Sequence, residues 1–137
     1  MINMNNDELI KAFLYPNGTL RNKLNIQDPD KLSRVFNNLI KNAISYSKEE
    51  SEIVINLKKD TNNVVVEVIN KGKQISKEKL SKIFEKFYRL DSARTSRTGG
   101  SGLGLAIAKD IVELHNGTII AESNEKETTF RVTLPLK

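Results

Sequence analysis

Four short stretches of this chain hold residue types at spacings that could do chemistry. Asn38 and Asn42 are four residues apart, so on a helix they stack on one face. At about 100° per residue they border the apolar stripe, while Asn37 falls on the opposite side. An amide oxygen at such a rim is a ligand that Mg²⁺ accepts, since that ion takes hard oxygens and keeps waters and phosphates for its remaining positions. Alone, the pair reads more simply as boundary asparagines. The second stretch is Val68-Ile69-Asn70-Lys71-Gly72-Lys73-Gln74-Ile75, where a polar side chain leaves an apolar run beside a glycine. That lets a flat ligand edge come close, and alone it also reads as a plain turn.

The third stretch places Gly99, Gly100, Gly102 and Gly104 at the opening of an apolar helical pattern. Backbone N–H groups at a helix start attract phosphate, and glycines let it approach. The spacing matches neither a Walker A loop nor the dinucleotide G-x-G-x-x-G pattern. The alternative is a flexible hinge, but flexible loops rarely run straight into an apolar helix, which favours phosphate binding. The fourth runs from Phe84 to Arg94, with Arg89 and Arg94 just before the glycines. Cations there could stabilise charge on a transferred phosphoryl group, or they could form a solvated basic loop.

Composition narrows the classes. The chain has 137 residues, 38% of them hydrophobic, which fits one domain with its own core. There is no cysteine and a single histidine, His115, so disulfide scaffolds, thiol nucleophiles, iron–sulfur clusters and multi-histidine metal centres are excluded. No apolar run is long enough to span a membrane, and residues 1–8 do not look like a signal peptide. The net charge of +5 comes from scattered lysines with only 6% aromatics. That pattern argues against nucleic acid and reads as a solvated surface, and anionic small molecules such as nucleotides fit the modest positive balance equally well.

These stretches need elements to hold them. Residues 7–15 carry a short helical pattern, Pro16-Asn17-Gly18 is a turn, and 19–26 alternate weakly as a strand. Asp28 and Pro29 then start a helix whose apolar face runs through Leu32, Val35, Phe36, Leu39, Ile40, Ala43 and Ile44 to about Ser47. Residues 52–58 and 64–69 form a hairpin turning at Asn62-Asn63. Ser76 caps a short helix through Phe84, and 85–101 read as a mobile loop. A helix over 103–115 faces Leu103, Ile107, Ile111 and Leu114 inward and ends at Asn116-Gly117 in a left-handed cap. Residues 118–122 and 128–136 form a last hairpin. Helices and antiparallel hairpins in this order predict an α+β two-layer sandwich.

Together the four stretches resemble the catalytic ATP-binding domain of sensor histidine kinases. That domain belongs to a superfamily shared with gyrase, mismatch-repair and chaperone ATPases. Asn38-Leu39-Ile40-Lys41-Asn42-Ala43 matches the N box, Asn70-Lys71-Gly72 the first glycine box and Ile83 to Arg89 the F box. Gly100-Ser101-Gly102-Leu103-Gly104-Leu105-Ala106-Ile107 matches the second glycine box, and Thr128-Thr129-Phe130 to Leu134-Pro135 the last strand. The resemblance covers about residues 28–136 and looks closest to the vancomycin-resistance sensor kinases.

The resemblance implies a Bergerat-type fold, a mixed and mainly antiparallel sheet with about three helices on one face. It implies a catalytic domain over 28–137, with residues 1–27 as a separate N-terminal segment. ATP and Mg²⁺ are the implied cofactors. Asn42 would ligate the metal, with Asn38 facing the phosphates, and Tyr46 would pack near the adenine. Asn70 stands where the family usually has an aspartate that accepts from the adenine amino group. Gly72, Ile75, Phe87, Tyr88, Leu103, Leu105 and Thr129 would line the nucleotide site. Gly100, Gly102 and Gly104 would border the triphosphate, and Arg89 and Arg94 would contact phosphates or assist transfer. Gln74 replaces a glycine of the first glycine box, Ser45 a common lysine, and Glu127 a common glycine.

No His-Glu-x-x-x-Pro segment occurs, and His115 is not the expected phosphoacceptor. The implied partner is therefore a dimerisation and histidine-phosphotransfer domain, with a response regulator downstream. The isolated domain is expected to be monomeric and cytoplasmic, its parent a homodimeric membrane sensor. Two other readings share the fold: an anti-sigma-type serine kinase and a non-catalytic nucleotide-sensing module. A gyrase-like ATPase would carry a general-base glutamate where Asn38 stands.

Overall fold

The computed structural model describes residues 2–5, 29–88 and 103–136. The helix and strand expected at 7–15 and 19–26, and most of the loop expected at 85–101, lie outside those residues.

The helix α1 (Pro29–Tyr46) opens on proline, whose missing N–H costs nothing at that position. Leu32, Val35, Leu39 and Ala43 form its buried stripe. Phe36 and Ile40 flank the stripe and pack against the core. Ile44 does not join it: one step further round the helix, it is 54% exposed.

Among the described residues the sheet has five strands, β1 (Ile2–Asn5), β2 (Ile53–Lys59), β3 (Asn63–Asn70), β4 (Thr118–Ser123) and β5 (Thr128–Pro135), in the order β1-β2-β3-β5-β4. Among these strands β1 alone pairs in parallel, with Ile2 opposite Ile53. The sequence reading did not anticipate this strand, because four residues with two asparagines give no clear alternation. The β2–β3 hairpin is closed by Asp60, whose Oδ1 accepts from the N–H groups of Asn62 and Asn63 at 2.8 and 2.7 Å.

Strand alternation puts Ile53, Ile55, Leu57, Val64, Val66, Val68, Phe130, Val132 and Leu134 on one sheet face. These residues and the α1 stripe share one core. The helices cover this face, which gives the two-layer α+β sandwich.

The helix capped by Ser76, α2 (Lys77–Leu80), is shorter than expected. Ser76 Oγ accepts from the Lys79 N–H at 3.3 Å, but beyond Leu80 the backbone bonds tighten. Lys82 N–H donates to Lys79 and Glu85 N–H to Lys82, both three residues back. Such 3₁₀-like turns let the chain bend, and Ile83 enters the core. Phe84 meets Phe130 edge-on, with centroids 6.3 Å apart.

The last helix, α3 (Gly104–Leu114), buries a different face from the one expected. Ala106, Ala108, Ile111 and Val112 are inside, Ile107 is half-buried and Leu114 is 48% exposed. Two of its buried residues are alanines, and α3 lies beside α1. The stripe Ala108, Ile111, Val112, His115 ends in a histidine only 2% exposed. Its Nδ1 lies 2.8 Å from the Ile111 carbonyl, which can only accept, so Nδ1 carries the proton. Asn116, at φ 60°, makes the left-handed turn after the helix. Gly117 is needed for a different reason: a Cβ there would collide with the Thr133 carbonyl oxygen and sit 2.9 Å from Leu134 Cδ2.

Candidate functional site

Between the C-terminal half of α1 and the adjoining ends of β3 and β5 lies a cleft of about 220 Å³. Asn42, Tyr46, Asn70, Lys73, Gln74, Ile75, Lys79, Thr128 and Phe130 line it. Asn42 and Tyr46 are one helical turn apart and form the α1 wall. Asn70 and Thr128 are register partners across β3 and β5, and each is only 3% exposed. They form the floor with Phe130. Lys73, Gln74 and Lys79 are exposed at the rim, and among the described residues no acidic side chain lines the cleft.

The turn after β3 is held against α1. Lys48 N–H donates to the Lys71 carbonyl at 2.7 Å, and Ser47 bridges Gly72. A Cβ at Gly72 would run into the Tyr46 carbonyl oxygen, so glycine at this position lets the two segments meet. Ile75 N–H donates to Ser123 Oγ at 2.9 Å, and Ser123 Oγ lies 2.8 Å from Thr128 Oγ1. That chain of bonds ties the rim to the floor.

Asn38 lies one turn before Asn42 and outside the cleft lining. Its Nδ2 donates to the Gly104 carbonyl at 3.1 Å, joining α1 to the first residue of α3. A Cβ on Gly104 would rest 3.8 Å from Asn38 Cγ, an ordinary contact. Leu103 is the residue at the helix start, and its side chain makes no cap hydrogen bond to α3. Leu105 packs against the core and leaves Gly104 exposed.

Of the expected site residues, Asn42, Tyr46, Asn70 and Ile75 meet in the cleft, with Gly72 beside them. Arg89, Arg94, Gly100 and Gly102 lie outside the described residues. Tyr88 is half-buried against the core, and Phe87 is 70% exposed at φ 66°. Thr129 is a correction. The alternation of β5 turns it to the opposite sheet face and puts Thr128 in the cleft instead. Lys73, Lys79 and Phe130 were also missed. The buried phenylalanine was legible from strand parity once Thr128 was placed inward; the lysines carried no signal.

The opposite sheet face holds a polar cluster. Glu67 accepts from Arg131 Nε at 2.9 Å and pairs with Lys58 Nζ at 3.2 Å; Arg131 also reaches Glu122 at 2.8 Å. Burial pushes the Glu67 carboxyl up, but the bonds from Arg131 and Lys58 together outweigh it and hold the group below its ordinary value. Glu122 and Glu67 in turn raise Arg131 further. This cluster links β2, β3, β4 and β5 and faces away from the cleft.

A family model for histidine kinase-, DNA gyrase B- and HSP90-like ATPases matches residues 27–137. The chain belongs to that family. The sensor protein VanS of Enterococcus faecium is 59% identical over 108 residues, covering 79% of this chain and 28% of VanS. The sensor protein kinase WalK of Staphylococcus haemolyticus is 46% identical over 111 residues, covering 79% of this chain and 18% of WalK. The solved catalytic domain of histidine kinase ThkA superposes with a TM-score of 0.69 at 26% identity, covering 96% of this chain and 91% of that one. The domain is therefore a sensor-kinase ATPase domain, and ATP binding comes with its family. The chain spans under a third of the length of the two sensor kinases. Among the described residues no helix is long and apolar enough to cross a membrane.

Proposed function

We propose that the chain binds MgATP and transfers the γ-phosphate to a histidine on a separate dimerisation domain, which then phosphorylates a response regulator. The observation that carries this reading is the cleft itself. It gathers Asn42 and Tyr46 from the N box with Asn70 from the first glycine box, residues far apart in sequence. Tyr46 offers a ring for the purine, while Asn70 and Thr128 offer hydrogen bonds to its edge.

The residues also fit a magnesium ion. Among the described residues no group of three His, Cys, Asp or Glu is placed to hold a metal. Asn42, half-buried in the cleft wall, supplies one hard oxygen and leaves the other positions to phosphates and water, a donor set that suits Mg²⁺. When bound, the ion offsets charge on the phosphates. Asn38 bonds the start of α3, whose N-terminal N–H groups favour an anion. Arg89 and Arg94 keep the phosphate-contacting role given by the resemblance, with Gly100, Gly102 and Gly104 bordering the triphosphate. In the transfer, the bond from the γ-phosphorus to its bridging oxygen breaks, a phosphorus–nitrogen bond to the imidazole forms, and ADP leaves.

The acceptor histidine belongs to another segment. His115, buried and bonded to its own helix, is not available to a reacting phosphate. The functional unit is residues 28–137, working in the cytoplasm as part of a longer membrane sensor. The test is to mix this chain with a separately produced sensor-kinase dimerisation domain and radiolabelled ATP. Acid-labile, alkali-stable label on that domain, lost with Asn42→Ala, is the expected result. Label on serine, or ATP binding with no transfer, would reject the reading.

A further inference from the structure

We propose that the cleft floor does not distinguish a 6-aminopurine from a 6-oxopurine, so that the domain accepts 6-oxopurine nucleoside triphosphates alongside ATP. The inference rests on the nucleotide reading above and specifies what the site reads.

The floor holds two polar side chains, Asn70 and Thr128, both 3% exposed. Among the described residues, none hydrogen-bonds the Asn70 carboxamide, although it is buried and lines the cleft. A buried amide without partners is costly, so its bonding capacity is directed at whatever enters. A carboxamide has an acceptor on one arm and donors on the other, and turning it over exchanges them. Thr128 is equally adaptable. Ser123 Oγ already accepts the Ile75 N–H, and either hydroxyl of the Ser123–Thr128 pair can donate to the other. When Ser123 donates, the Thr128 proton turns into the cleft; when Thr128 donates, its lone pairs face the cleft.

The two purine classes present opposite patterns at this edge. A 6-aminopurine offers a donor at position 6 and an acceptor at N1; a 6-oxopurine offers an acceptor at position 6 and an N–H at N1. Asn70 matches the first in one orientation and the second in the other. A carboxylate on the floor would accept only and would oppose a 6-oxo group, yet among the described residues no acidic side chain lines this cleft. Its rim charges are Lys73 and Lys79, both exposed cations compatible with a carbonyl oxygen.

The test is calorimetric titration of the 137-residue chain with ATP and with inosine triphosphate, both with Mg²⁺. Inosine differs from adenosine at this edge without adding the 2-amino group of guanine. The expected result is dissociation constants within about fivefold of each other. Asn70→Asp, checked for folding by circular dichroism, is expected to widen the ratio in favour of ATP by about tenfold or more, because its floor can only accept. A wild-type preference for ATP above about fiftyfold overturns the inference while leaving the nucleotide reading intact. An unchanged ratio in a folded Asn70→Asp variant also overturns it. Failure of the wild type to bind either nucleotide overturns the nucleotide reading itself, and the inference with it. If the variant does not fold, the wild-type ratio decides alone.

Discussion

Asn38 Nδ2 donates to the carbonyl of Gly104 across 3.1 Å, so the helix carrying the cleft residue Asn42 is bonded to the first residue of the helix that follows the glycine run. Asparagine can make this bond because its amide offers a donor as well as an acceptor. A glutamate here would offer only acceptors toward a carbonyl oxygen. Asn38→Ala is expected to lower stability by about 0.5–1 kcal/mol, as for a partly exposed hydrogen bond. The urea midpoint should fall while the slope stays constant. An unchanged midpoint would mean the two helices are held by packing alone.

Gly72→Ala should be more damaging. The new Cβ would collide with the Tyr46 carbonyl oxygen, a backbone atom that cannot swing aside. A loss of about 1–3 kcal/mol is expected, as for overpacking, with ATP affinity falling as the two cleft walls part. Thermal melting and calorimetry measure both. Wild-type affinity in this variant would show that the Ser47–Gly72 bridge does not shape the site.

Neighbouring threonines separate the two sheet faces. Thr128→Val removes a hydroxyl from the cleft floor and is expected to weaken ATP about three- to tenfold, the range for one lost hydrogen bond. Thr129→Val changes the opposite face and should leave affinity unchanged. Equal effects would contradict the β5 alternation.

The end of α3 offers a contrast between two adjacent residues. Gly117→Ala meets the Thr133 carbonyl oxygen and the Leu134 side chain and should cost about 1–3 kcal/mol. Asn116→Gly, at φ 60°, relieves a left-handed non-glycine and should be neutral or slightly stabilising. Chemical denaturation of the two variants gives the order.

Acid sensitivity should trace to Glu67. Its carboxyl is held below the ordinary value of 4.5, so the stability it contributes is present above that pH and is lost as pH falls through the lower folded value. Glu67→Gln should therefore narrow the stability difference between neutral and acidic pH. An identical pH profile in the variant would show that the Lys58–Glu67–Arg131–Glu122 cluster is screened out.

The sequence by itself determined the local features. Pro29 and the spacing Leu32, Val35, Leu39, Ala43 set α1 and its inward face, and Asn42 and Tyr46 followed at its rim. Ser76 set the start of α2, and the Asn-Gly pair set the end of α3. Each depends on backbone chemistry within a few residues, and the motif order was enough to suggest a nucleotide site.

Tertiary structure decided what depends on distant partners. Whether Thr128 or Thr129 entered the cleft depended on how β5 registers against β3, because a shift of one residue turns every side chain over. The buried face of α3 was set by packing in the core, which takes in Ala106, Ala108 and Val112 and leaves Leu114 exposed. Two asparagines in Ile2–Asn5 hid β1 until β2 supplied its ladder. The Glu67 cluster exists only because four strands bring its members together. The long-range cleft was likewise invisible as a volume, although four of its nine lining residues had been singled out from their motifs. Strand register and helix packing are settled by burial across the whole core, and no local window of sequence contains that information.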